Sequence, residues 1–334
     1  MISILIPTKN NPIDLYERIF FYNFFEFKGE ILIGDSSNEE NIKIFKNLLN
    51  KLEIKIKINY LTFPDLSESN TTKRLIKASS FDFLVWSGDD DFFVPKTLYK
   101  CVNFLKKNLN FASVHGKGLV LMIENNKILS QWQYKQPNFI GETAEKRLEK
   151  YLVSGGDTHY SVHRKSIMVK MYSNVDKFKT HMVSAADLPI YMSIINGNMA
   201  EINEYSIIRT VYKKRRHDYK NIFMNGLQDK NWLNDNIKLI DVMSNEICNN
   251  EKISYDDAET IVRHFLKEIN LNQISKFMEP QIKINFLYLL LAKIKNKFNS
   301  ILTFKNLRKD DYLENINIEL KIIKNIIISN ENET

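Results

Sequence analysis

Residues 1–110 alternate short β-branched apolar runs with amphipathic stretches, and no other feature of the chain limits its fold so tightly. Ile2–Ile6 and Ile31–Ile33 are dense in apolar residues, the pattern of strands covered on both faces by helices. After the second run Ile42, Phe45, Leu48 and Leu49 recur three and four residues apart and predict a helix. Ile54, Ile56 and Ile58 alternate with Lys55, Lys57 and Asn59, which predicts a strand with one wet face at a sheet edge. Thr71–Ser79 reads as a short helix capped by Asn70, and Phe81–Trp86 as a fourth, largely buried strand. Pro95 suits the first turn of a further helix whose apolar face is Leu98, Cys101, Val102 and Leu105. The sum is an α/β fold with an open, mostly parallel sheet.

From Phe111 to Tyr134 the pattern changes to a hairpin, Leu119–Ile123 and Lys127–Gln133 around Asn125-Asn126. A helix at Ala144–Leu152, a break at Gly155-Gly156, a strand at His159–His163 and a helix at Asp187–Ile195 are expected next. Past about residue 220 strand signals fade, so the chain divides into an α/β domain over 1–218, with halves of about 1–110 and 111–218, and a mainly helical region over 219–334.

With 44% hydrophobic residues the chain can build a sizeable core, and the 47 Lys+Arg against 40 Asp+Glu give a mild +7 that suits an anionic ligand or surface. No RNP, helix-turn-helix or zinc-finger pattern supports nucleic acid as the partner. Cys101 and Cys248 are far apart and near no histidine pair, so neither a zinc site nor a disulfide framework is indicated and a reducing cytoplasm is expected. MISILIPTKNN has no signal-peptide pattern, and the longest apolar stretch, Phe286–Ala292, is far short of the roughly 20 residues that span a bilayer.

In open α/β sheets ligands bind beyond the carboxyl ends of the strands. The polar residues there are Thr8-Lys9-Asn10, Asp35-Ser36-Ser37 and Asp89-Asp90-Asp91. Three consecutive carboxylates after FLVW repel one another unless a cation compensates, and a hard divalent ion, Mg2+ or Mn2+, is the natural partner because it accepts one or two carboxylates and completes its shell with water and phosphate.

Four segments, in order, make the chain resemble a family 2 nucleotide-sugar glycosyltransferase of the GT-A fold: SILIPTKNN, EILIGDSSNEE, the D-x-D-like FLVWSGDDDFFVP, and SAADLPIYMSIINGN. The likeness covers about residues 1–218 and implies a bacterial surface-glycan enzyme using a UDP-sugar donor. Carried over, Asp35 accepts from the base N–H, while Pro7, Thr8 and Asn10 line the base and ribose pocket, with Lys73 on the helix before the D-x-D. Asp89 sits near the ribose and metal, Asp90 near the nucleotide, and Asp91, or Asp90 one residue earlier, ligates the metal. The chain departs from the family pattern at Gly34, Lys73 and Ala186, where Asp, Asn and Glu are frequent.

The resemblance places the catalytic base at Asp187, where an Asp also suits a helix N-terminus. In TVYKKRRHDYKN it makes His217 a third metal ligand and Arg215 and Arg216 phosphate-binding residues. SGGDTHYSVHRK is the candidate acceptor segment, where Thr158, His159 and Tyr160 offer hydrogen bonds and a ring for a sugar to stack on. From Gln281 to Lys309 seven basic residues and no acid interleave with apolar ones, as on a helix packed on the domain or lying on an anionic membrane. The expected partners are a nucleotide-sugar donor and a glycan or lipid-linked glycan acceptor. A nucleotidyltransferase would need a Gly-rich phosphate loop that PTKNNP lacks, and a non-catalytic binding protein would not need both the Asp cluster and Asp187.

Overall fold

The computed structural model describes residues 1–125, 127–134, 136–212, 229–278 and 315–329. Strands β1 (Ser3–Thr8), β2 (Glu30–Asp35) and β3 (Lys57–Thr62) alternate with helices α1 (Pro12–Phe24), α2 (Glu39–Leu49) and α3 (Glu68–Ala78), and β4 (Phe83–Trp86) comes after them. Next come β5 (Asp91–Phe93), α4 (Pro95–Lys107), the long hairpin β6 (Phe111–Glu124) and β7 (Lys127–Tyr134), α5 (Ala144–Ser154), β8 (Val162–Arg164) and α6 (Lys165–Tyr172). Helix α7 (Leu188–Ile195) leads to β9 (Asn198–Tyr212), and α8 (Trp232–Glu251), α9 (Tyr255–Met278) and α10 (Asn317–Ser329) complete the described elements.

One sheet runs β3-β2-β1-β4-β8-β6-β9-β5, with β7 paired to β6. The β3-β2-β1-β4 part is parallel, β6 also pairs parallel with β9, and β8 runs antiparallel between β4 and β6. Alternate residues of each buried strand feed opposite faces: Ile4 and Ile6 of β1 join α1, α2, α4 and α10 in one core, while Leu5 joins α3 and α5–α9 in the other. The helices beyond residue 228 thus share the cores of the α/β part. Leu239, Met243, Val262 and Phe265 close one face, and Ile316, Ile323 and Ile327 the other.

Several boundaries differ from expectation, each for a local reason. The edge strand starts at Lys57 because Glu30, buried at the start of β2, fixes its register through a 2.7 Å ion pair to Lys57; Ile54 is left exposed. Helix α3 begins at Glu68 because Ser67, and not Asn70, accepts the capping bond from the Asn70 N–H. Residues Thr158–Tyr160 form a 3-10 turn, capped by Asp157, and only Val162–Arg164 pair as a strand. Asp187 is not an N-cap: its backbone is already helical, its side chain caps nothing, and it ends a π-helical turn, Val183–Asp187, within a helical run that starts at His181. Pro189 lies just beyond; having no N–H and a bulky ring, it disfavours a regular α-turn, and a π-turn shifts the residues after it. Strand β9 is not among the expected elements, since Glu201, Asn203 and Glu204 interrupt its apolar alternation.

Candidate active site

β2 and β3 lie on one side of β1 and β4 on the other, so the topological switch point of the sheet falls between β1 and β4. Here the two carboxyl ends are laced together: the Thr8 hydroxyl donates to Asp89 Oδ2 at 2.6 Å and Asn11 Nδ2 to Asp89 Oδ1 at 3.0 Å. A cavity of about 380 Å³ opens beside them, lined by Pro7, Thr8 and Lys9 of the first strand end, Ser36 of the second, Leu66–Glu68 and Thr71 at the start of α3, Trp86, Gly88 and Asp89 of the fourth, and His181.

The turn Ser87–Asp91 packs three carboxylates close together, with Arg18 and Arg209 as the nearby cations of Asp90 and Asp91. Burial pushes Asp89 up to about 6 despite the Thr8 bond. Asp91, only 2% exposed, is pushed by burial to about 7, although Arg209 lies 3.5 Å away as a counter-ion. Burial raises Asp90 as well. Asp91 Oδ2 is buried without a hydrogen-bond partner among the described residues. A Cβ built on Gly88 would stand 2.9 Å from Asp90 Oδ1 and 3.2 Å from Asp91 Oδ2, so the glycine leaves open the space on which both carboxylates converge. An orphaned carboxylate oxygen, a second acid and a vacant Cβ position fit a hard divalent cation, which needs only one or two protein carboxylates. No group of three or more His, Cys, Asp or Glu poised to hold a metal occurs among the described residues.

Arg209, absent from the sequence-derived candidates, comes from β9, whose register sets it opposite Asp91 of β5. Its guanidinium lies 4.4 Å from the Tyr160 ring centroid, and Trp86 packs against both Tyr160 and His159 at 5.5 and 5.7 Å. The only sequence signal for Arg209 is a lone cation in the run SIIRTVY.

The expected acceptor residues divide. Thr158 is fully buried and accepts from Ser193 at 2.8 Å, so its hydroxyl serves the core. His159 pairs through Nδ1 with Asp157 Oδ1 at 3.0 Å, leaving Nε2 buried and unpartnered among the described residues. Burial opposes the charge on Asp157, yet the His159 hydrogen bond and Arg209 hold its carboxyl below the usual range. Asp187, half-buried, is pushed by burial to about 7; Tyr191 donates to it at 3.4 Å and the charge of nearby His159 partly opposes the rise.

Three other candidates face elsewhere. Asp35 is 2% exposed and does not line the cavity; its oxygens accept from the Tyr60 hydroxyl at 2.6 Å and the Ser37 N–H at 2.8 Å. Asn10, at φ 55°, ties two strand-end loops together through Ser37 and Asn38. Lys73 reaches Asp176 and the Ser173 carbonyl, each at 2.8 Å. Gly34 has no room for the Asp frequent in the resembled family, because a Cβ there would lie 2.4 Å from the Thr71 methyl. Arg215, Arg216, His217 and the basic segment 281–309 lie outside the described residues.

No family model matches the chain, and no curated protein does. Among solved structures it is similar to S. aureus TarS 1-349 in complex with UDP-GlcNAc, with a TM-score of 0.50 and 14% identity over 86% of this chain and 78% of that one. It is also similar to the mannosyltransferase PcManGT from Pyrobaculum calidifontis in complex with GDP-Man and Mn2+, with a TM-score of 0.44 and 11% identity over 89% and 87%. The chain has a GT-A-like fold. No helix among its described residues is long and apolar enough to cross a membrane.

Proposed function

We propose that the chain is a metal-dependent, inverting glycosyltransferase that moves a sugar from a nucleoside-diphosphate sugar to a hydroxyl of a glycan or lipid-linked glycan. The observation that carries this is the convergence of Asp90 and Asp91 on the open space at Gly88, beside a cavity at the switch point of the sheet. Asp90 and Asp91 would hold Mn2+ or Mg2+, which when bound neutralises charge on the leaving diphosphate. Asp89, fixed by Thr8 and Asn11, faces the ribose, and Pro7 and Thr8 line the nucleoside cavity.

On the acceptor side Asp187 takes the proton of the acceptor hydroxyl. The freed oxygen bonds to the anomeric carbon, and the bond from that carbon to the diphosphate oxygen breaks with its electron pair staying on the diphosphate. One displacement inverts the anomeric configuration. His159 and Tyr160, packed against Trp86 by tilted and edge-on ring contacts, form the wall against the acceptor, with Thr158 supporting it from behind. Arg215, Arg216 and His217 enter through the family resemblance alone, as a basic segment over the diphosphate.

A lipid-linked acceptor is favoured by an apolar groove of about 520 Å³ between α1 and α10, lined by Ile13, Phe20, Phe24 and Ile326, just after the basic segment 281–309. The test of the donor half is a thermal-shift screen of nucleoside diphosphates and their sugars with and without Mn2+. Stabilisation that needs the metal is expected; no shift with any of them would remove the donor half.

A further inference from the structure

The resemblance puts nucleobase recognition on Asp35, but that residue is buried, and its two oxygens are engaged by Tyr60 and Ser37. Among the described residues, the acids lining the nucleoside cavity are Asp89, held by Thr8 and Asn11, and Glu68 in the first turn of α3. The Glu68 side chain is 40% exposed, and its ion-pair partner, His181, stands 3.5 Å away on the same cavity wall. The hydroxyls that line the cavity beside it are already committed. Ser67 caps α3, and the Ser36 and Thr71 hydroxyls bond each other at 3.0 Å.

A carboxylate is acceptor-only, with two oxygens that match two adjacent donors. Guanine offers such a pair in N1–H and the N2 amino group, and its O6, next to N1–H, accepts a donor such as His181. Uracil offers a single N3–H between two carbonyl oxygens, so a carboxylate that takes this proton sets its second oxygen against a carbonyl. Adenine pairs its amino group with an acceptor nitrogen. Resting on the nucleotide-sugar function proposed above, we infer that Glu68 is the base-reading residue and that the donor is a guanosine diphosphate sugar.

Calorimetric titration of GDP, IDP, UDP and ADP with Mn2+ into the wild type and Glu68→Gln tests this, with thermal melting of the variant as a check on folding. GDP is expected to bind about tenfold or more tighter than UDP or ADP, with IDP, which lacks the N2 amino group, between them. Glu68→Gln is expected to lower GDP affinity about tenfold and leave UDP within about twofold. UDP or ADP binding as tightly as GDP would overturn guanine as the base, and a guanine preference that survives in Glu68→Gln would overturn Glu68 as its reader. Failure of all four to bind would instead overturn the nucleotide-sugar function on which it rests.

Discussion

The Asp89–Asp91 turn and Asp187 differ most in the company their carboxylates keep. Asp89, Asp90 and Asp91 crowd one turn, Arg209 faces the last two, and an oxygen of Asp91 is left without a partner at Gly88 among the described residues. Asp187 is raised as far as Asp91, to about 7, but its pKa reflects no second carboxylate, and Tyr191 touches it only at 3.4 Å. Crowded carboxylates gain most from a multivalent cation, while a lone desolvated carboxylate gains most from a proton. The same physical shift therefore suits metal binding at the first region and general-base chemistry at the second.

The sharpest way to break that contrast is Asp187→Asn, which keeps the shape and removes the proton acceptor. Turnover should fall about 10²–10⁴-fold while nucleotide affinity stays within about twofold, read by release of nucleoside diphosphate and by calorimetry. Next in size, Thr8→Val frees Asp89 from its 2.6 Å bond and should raise the donor KM roughly tenfold with kcat less affected. The pH dependence of kcat should show an acid limb near 7, because Asp187 accepts a proton only once ionised and its carboxyl sits at about 7. A limb near 4 would place the base elsewhere.

The smallest effect is on stability. The Asp187 carboxyl is raised in the fold, so its favourable contribution is complete below about pH 4 and lost as pH rises through about 7. At pH 8 the native protein holds a desolvated charge that Asn would not carry. Asp187→Asn should then melt roughly 2–4 °C higher at pH 8, with little difference at pH 4, in parallel thermal scans.

Legibility in the sequence divides along the same line. The carboxyl edge of the parallel strands is readable because a buried parallel strand leaves a dense apolar run, and the polar residues just past that run must lie at that edge; Thr8 and Asp89 meet there as the fold class requires. The part of the chain from Asp187 to the end of β9 is readable in position but not in form. Asp187 stands in a π-turn, which has no composition signature, and β9 hides its alternation under polar residues while delivering Arg209 to Asp91. Asp35 lies at its expected strand end, yet its partner Tyr60 depends on a register that Glu30 and Lys57 set some distance away. Side-chain commitments of this kind arise from tertiary packing, which local pattern cannot report.

The most direct measurement is calorimetric titration of a nucleoside diphosphate, with and without Mn2+, into the wild type, Asp91→Asn and Asp187→Asn. The metal should strengthen binding at least about tenfold in the wild type and in Asp187→Asn, and have no effect in Asp91→Asn. Binding indifferent to the metal in the wild type, or metal dependence lost in Asp187→Asn and kept in Asp91→Asn, would contradict the division of labour between the two acidic regions.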